Sequence, residues 1–183
     1  MSDKQLNWED RFYYYNARIN PLKLIKKFQA KNLKAKEGFL TNAFGVVINP
    51  KFFPQLLTGR EGKVEELPIP ANWHADMAEF GAALRAVDLA DKSFTMIELG
   101  CGWGCWMNIT GVAAKRKGLT VKLIGVEGDE GHISFVKESL STNQFKLDEY
   151  QIYHGIAANR KGYALFPKQD ISGVSWGLSP IFD

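Results

Sequence analysis

Cysteine, histidine and long apolar runs are all scarce in this chain of 183 residues. The two cysteines, Cys101 and Cys105, share one short glycine-rich stretch, which excludes a disulfide framework and a four-ligand zinc centre. They read as small space-filling residues, the alternative being a reactive thiol. The histidines, His74, His132 and His154, are scattered without metal-ligand spacing, and no nucleophile motif accompanies them. Neither a metal nor a covalent intermediate is expected. No stretch reaches the roughly 20 apolar residues of a membrane-spanning helix. The chain starts polar and then aromatic, unlike a secretory leader, so no membrane span and a cytoplasmic location are expected. Internal repeats and low-complexity tracts are absent too.

What is present begins with an uneven charge. Residues 1–40 hold nine Lys or Arg against four Asp or Glu, a net of +5, which leaves −2 for the rest. A basic face of this kind suits an anionic partner, or is simply a solvated helix face. It lacks the arginines and interleaved aromatics that read bases, so nucleic acid is not expected. Trp8, Phe12, Tyr13, Tyr14 and Tyr15 suggest an arm docked on a core. A helix is predicted over Pro21–Glu37, stopped by Gly38, then one or two short strands over Phe39–Phe53 and a loop over Thr58–Pro70. From Ala71 to Asp91, Trp73, Met77, Phe80, Leu84 and Val87 recur at helical spacing and predict one apolar face packed on a sheet.

The chain is organised around Phe94–Gly104, F-T-M-I-E-L-G-C-G-W-G. An apolar run that turns abruptly glycine-rich predicts a buried parallel strand breaking into a loop that opens a helix, here Gly104–Lys117. Gly100, Gly102 and Gly104 allow tight turns and close backbone approach, and the helix start offers free N–H groups and partial positive charge. A dinucleotide fingerprint would place its third glycine at 105, where this chain has Cys105. Glu98 at the strand end would repel a pyrophosphate and attract an ammonium group. A ligand with both carboxylate and ammonium fits better, and S-adenosylmethionine carries both.

A second strand, Thr120–Glu127, ends in an acid placed to accept hydrogen bonds from two ribose hydroxyls. A helix over Asp129–Asn143 with Asp129 as its N-cap, and a third strand over Tyr150–Ala157, complete a β-α-β-α-β alternation. This predicts an α/β fold, a Rossmann-like doubly wound and mostly parallel sheet, with a helical N-terminal extension. Gly155 and Ile156 would lie beside an adenine, a short strand is predicted over Tyr163–Phe166, and Gly173–Pro180 reads as loop. His74 and His154 are the candidate bases for deprotonating an acceptor hydroxyl. His132 reads as a surface residue.

The runs W-H-A-D-M-A-E-F, I-E-L-G-C-G-W-G-C-W, G-V-E-G-D and H-G-I-A-A-N-R-K-G-Y-A-L-F-P, in that order, resemble the FkbM family of S-adenosylmethionine-dependent methyltransferases. The resemblance covers about Asn42 to Phe166. It implies a class I fold and methyl transfer to a hydroxyl oxygen on a sugar or other small metabolite, with a small-molecule or glycan acceptor. By the same resemblance Glu98, Gly100, Gly102 and Gly104 would hold the methionine part and Glu127 the ribose, with Cys101 and Gly128 also among the expected cofactor-binding residues. Residues 1–70 form the N-terminal extension and 71–183 the cofactor-binding domain.

The family continues with further strands, including an acidic segment that has no counterpart before Asp183. The Phe94–Leu99 strand is therefore expected to have an exposed apolar edge. Two copies pairing, a completing partner chain, or the tail folding back would each cover it. The alternative to an enzyme is a truncated, non-catalytic cofactor-binding or scaffold module completed by a partner, and a nicotinamide enzyme is a third reading.

Overall fold

A computed structural model describes residues 19–182, and the aromatic arm expected from Trp8 to Tyr15 lies outside them. Helix α1 (Pro21–Phe28) begins where the Asn20 side chain accepts the Lys23 N–H and Pro21 takes the first position. It stops well short of the expected Glu37. Gln29 is already extended, and the Ala30 N–H donates to the Ala43 carbonyl, so a contact distant in sequence takes over from the helix. Strands β1 (Leu40–Thr41) and β2 (Val47–Ile48) pair antiparallel around a turn in which the Asn42 side chain accepts the Phe44 and Val46 N–H groups. A 3-10 turn at Pro50–Phe52 and the single-turn helix α2 (Pro54–Leu57) follow. Within the expected loop, β3 (Lys63–Val64) pairs parallel with β1.

Helix α3 (Met77–Leu89) starts later than the expected Ala71. Asp76 accepts the Ala78 and Glu79 N–H groups while Glu79 reaches back to the Asp76 N–H, a complete capping box. Trp73 and His74 thus precede the helix. Met77, Phe80, Leu84 and Val87 are buried as the spacing requires. They pack mainly among helices rather than on a sheet: Gly81 lies so close to Pro21 of α1 that a Cβ would sit 2.4 Å from the proline ring.

The α/β unit runs β4 (Ser93–Leu99), α4 (Cys105–Arg116), β5 (Thr120–Glu127), α5 (Glu130–Thr142), β6 (Tyr150–His154). Its strands pair in parallel in the order β4-β5-β6, from Ser93 opposite Thr120 to Glu127 opposite His154. Both crossovers step the same way along the sheet, so right-handed connections put α4 and α5 on one face. Burial follows this rule. Phe94, Val121 and Leu123 are buried, whereas Ile97 and Leu99 are 58% and 63% exposed on the opposite face. The second helical layer of a doubly wound sheet is therefore not formed among the described residues.

Strand β4 pairs with β5 alone, leaving its other edge unpaired among the described residues, as expected. The tail does not cover it. Strands β7 (Ala164–Leu165) and β8 (Ile181–Phe182) instead pair antiparallel with each other as a separate ribbon. One hydrophobic core joins Leu40, Ile48 and Phe52 of the N-terminal block to Trp103, Met107 and Leu123 of the α/β unit.

The capping box at Asp76 fixes where α3 starts, and through it the approach to β4. Replacing Asp76 with Ala removes the acceptor for two N–H groups, and urea unfolding is expected to report a loss of about 1 kcal/mol.

Candidate functional site

The glycine loop after β4 needs its glycines for backbone reasons. Gly100, Gly102 and Gly104 have φ of +68°, +53° and +76°, a region in which other residues are strained. The Gly100 and Cys101 N–H groups both donate to the Val126 carbonyl, at 2.8 and 3.0 Å, which folds the loop back over β5. Gly104 is the N-cap of α4 and has no side chain to cap with. Glu98 supplies the missing acceptor. Its carboxylate accepts the Met107 N–H at 2.9 Å and the Trp106 N–H at 3.4 Å, binding the end of β4 to the start of α4.

Glu127 does the corresponding work one strand over. Oε2 accepts the Gly102 N–H at 2.7 Å and Oε1 accepts the Asp129 N–H at 2.9 Å. A carboxylate offers about four acceptor positions, so about two remain. Asp129 in turn caps α5 by accepting the His132 N–H at 2.8 Å.

At the C-terminal ends of the three parallel strands lies a cavity of about 350 Å³, the place where sheets of this kind bind ligands. It brings together Gly100, Gly102, Glu127, Gly128, Gly155 and Ile156, all expected from the sequence. Glu98, Cys101 and Gly104 are not among its walls. The three loop glycines also differ in what they make room for. At Gly100 no heavy atom lies within 4 Å of where a Cβ would stand, whereas at Gly102 the Trp176 ring would be 2.6 Å away and at Gly104 a Val136 methyl 2.7 Å. Gly100 leaves open space; the other two admit the protein's own side chains. Cys101 faces Gly125, and burial pushes its thiol up to about 12 and that of Cys105 well up, as inert fillers would have it.

The histidines divide sharply. His74 sits among Trp73, Trp103 and Trp106, with ring centres at 5.4, 5.9 and 5.6 Å, and burial lowers its pKa to about 4. It is neutral at neutral pH but does not line the cavity. His154 is exposed at the end of β6, with Nε2 3.1 Å from the Gly128 carbonyl. It borders a second cavity of about 430 Å³ that shares Gly128, Gly155, Ile156 and Phe166 with the first.

His132 is no surface residue. It is 4% exposed, lines the first cavity, and lies under Trp176 with ring centres 4.0 Å apart and planes within 5°. Burial lowers its pKa, against the pull of the Asp129 and Glu127 carboxylates. The sequence carried a signal for this. His132 stands one helical step before Val136 and Leu140, which are themselves buried. Trp176, an isolated aromatic in a polar tail, carried none that a local pattern reveals.

Glu98 links the site to pH. Burial pushes its carboxyl up from 4.5 to about 7, the Glu127 carboxylate adds to the rise, and the two N–H bonds oppose it. Between these values the folded chain keeps a proton that the unfolded chain has released. This contribution to stability is therefore complete below 4.5 and is lost as pH rises through about 7. Its size is roughly 3 kcal/mol. Urea unfolding at a series of pH values is expected to show stability falling across this window, and Glu98→Gln is expected to flatten the fall.

Comparison with known proteins bears on the same region. The chain is similar to a curated protein of Jannaschia sp. (strain CCS1) described as "Putative methyltransferase", with 46% identity over 158 residues. The match covers 86% of this chain and 57% of that protein, so the chain spans little more than half of its relative's length. No family model matches the chain, and no solved structure does.

Proposed function

We propose that this chain is the cofactor-binding part of an S-adenosylmethionine-dependent methyltransferase acting on a hydroxyl oxygen of a sugar or other small metabolite. The observation that carries the proposal is a buried carboxylate with spare acceptor capacity, Glu127, lining one cavity together with the open backbone turn at Gly100. The similarity to the Jannaschia protein described as "Putative methyltransferase" supports methyl transfer, and the resemblance of the motifs to the FkbM family supports S-adenosylmethionine as donor and a hydroxyl as acceptor.

The donor set fits the group. Gly100 leaves space where a side chain would intrude, Glu127 has acceptor positions for a ribose diol, and Gly155 and Ile156 offer a small and an apolar neighbour for an adenine. When bound, S-adenosylmethionine supplies a methyl group already activated on sulfur. The chain's own task is to bind, orient and exclude water. Glu127 fixes the glycine loop and orients the ribose, while Glu98, Cys101 and Gly104 act from behind by holding the loop and α4 in register. The acceptor is a small molecule or glycan whose proton a base must take, and His74, held neutral, and His154 remain the candidates.

A second reading has a specific observation in its favour. The edge of β4, unpaired among the described residues, with Ile97 and Leu99 exposed beside it, suits a non-catalytic module completed by a partner chain or a second copy.

Calorimetric titration with S-adenosylhomocysteine tests the main proposal. The wild-type chain is expected to bind saturably and in preference to NAD, and Glu127→Ala to weaken binding at least about tenfold, the worth of losing charge-assisted hydrogen bonds. Glu127→Gln, which keeps one acceptor oxygen, is expected to fall between. A well-folded wild-type chain that binds neither compound, or that prefers NAD, would overturn the proposal.

A further inference from the structure

From the packing of the tail we infer that Trp176 is a ligand-positioning residue, the anchor by which residues 169–180 form the outer wall of the glycine-loop cavity. The inference rests on the reading of that cavity as the methyl-donor site.

Trp176 joins three parts of the chain. Its indole stacks on Phe53 of the N-terminal block, 4.2 Å between ring centres and 9° between planes, and on His132 of α5 at 4.0 Å and 5°. Both faces of the indole are thus covered, so it offers no platform on which a ligand's base could stack. Only an edge is left, and the benzo edge meets Gly102, where a Cβ would fall 2.6 Å from the ring. This edge closes on the loop at Gly102. Trp176, Leu178 and Pro180 contribute apolar lining to the cavity that Glu127 and Gly100 also line. A ligand with a polar diol on one side and an apolar body on the other matches that contrast.

The tail reaches this position by few attachments. Gln169 donates from Nε2 to Asp129 Oδ2 at 3.1 Å and accepts the Ser175 N–H at 3.0 Å, stapling the tail to the start of α5. Gly173 turns with φ +84° against the Phe52 and Lys51 carbonyls, where a Cβ would lie 2.8 and 2.9 Å from their oxygens, and its own carbonyl accepts the Trp176 indole N–H at 3.0 Å. Around these points Ile171, Val174, Gly177 and Ser179 are exposed. A segment held at a few points with exposed residues between them opens at lower cost than the core beneath it. Removing the indole frees the wall and uncovers Gly102, while the bonds by which Glu127 holds the loop, from the Gly102 and Asp129 N–H groups, are made without it.

The test uses the full chain with S-adenosylhomocysteine as the probe, in calorimetry and in limited trypsin digestion after the exposed Lys168. Trp176→Ala is expected to weaken binding about tenfold, as when only about a tenth of the free chain keeps the wall in place. It is also expected to speed cleavage at Lys168 and to abolish the protection that the probe gives the wild type. Trp176→Phe, which restores a ring, is expected to recover part of both. Gln169→Ala, which leaves every ring in place, is expected to speed cleavage in the same way and guards against a Trp176→Ala chain that fails to fold. Unchanged or tighter binding by a folded Trp176→Ala chain would overturn the inference while leaving the donor-site reading intact. Absence of binding by the wild type would overturn both.

Discussion

Two hydrogen bonds to one buried carboxylate set the geometry on which everything else at the site depends. Glu127 ends β5 and accepts the Gly102 N–H on one oxygen and the Asp129 N–H on the other. The first bond pins the loop after β4, and the second pins the start of α5, so one residue ties together the C-terminal ends of two neighbouring strands. Burial makes this more than a local contact, because a desolvated carboxylate without partners is costly and the loop supplies them. A ligand meeting Glu127 therefore meets an acceptor whose position is already fixed. Glu98, one strand away, gives the same service to α4.

Much of this was legible because it is local. The limits of β5, and those of α4 and α5 to within a residue, follow from apolar runs bounded by glycines and caps, with Asp129 capping α5 as its position before the apolar stripe requires. The candidate cofactor residues gathered at the cavity sit at strand ends for the same reason. What failed was nonlocal. The helix expected to reach Glu37 stops at Phe28 because Ala30 finds a partner in Ala43, and β3 and β8 are two-residue strands with no periodicity to read, whereas β7 falls inside the short strand expected over Tyr163–Phe166. The spacing of His132 to Val136 and Leu140 marks the buried stripe of α5, but nothing nearby in sequence says that an indole from the tail, Trp176, will lie over it.

The glycines show how a motif can be legible while its physical use is not. Each of Gly100, Gly102 and Gly104 needs a positive φ, so the backbone alone accounts for the pattern. Their missing side chains serve different ends: open space at Gly100, the Trp176 edge at Gly102, and a methyl of Val136 on α5 at Gly104. A larger residue at Gly104 would push α5 away from α4, and one at Gly102 would push the tail away from the loop. Ligand contact and internal packing are therefore shared out along one short turn.

The open side of the sheet follows from the same topology that builds the site. Two crossovers in one direction cover one face, and covering the other requires a strand beyond β4 with its helices running the opposite way. Among the described residues none is there, and Ile97 and Leu99 are left in solvent next to the glycine loop. Leu99 also lines the cavity, so the bare edge and the candidate site share a wall. Whatever covers that edge would stand beside the ligand. Glu127 fixes one side of the cavity within this chain, whereas the side toward β4 is bounded by a surface still exposed. If the cavity takes a methyl donor as proposed, features that select an acceptor are physically separable from those that hold the donor.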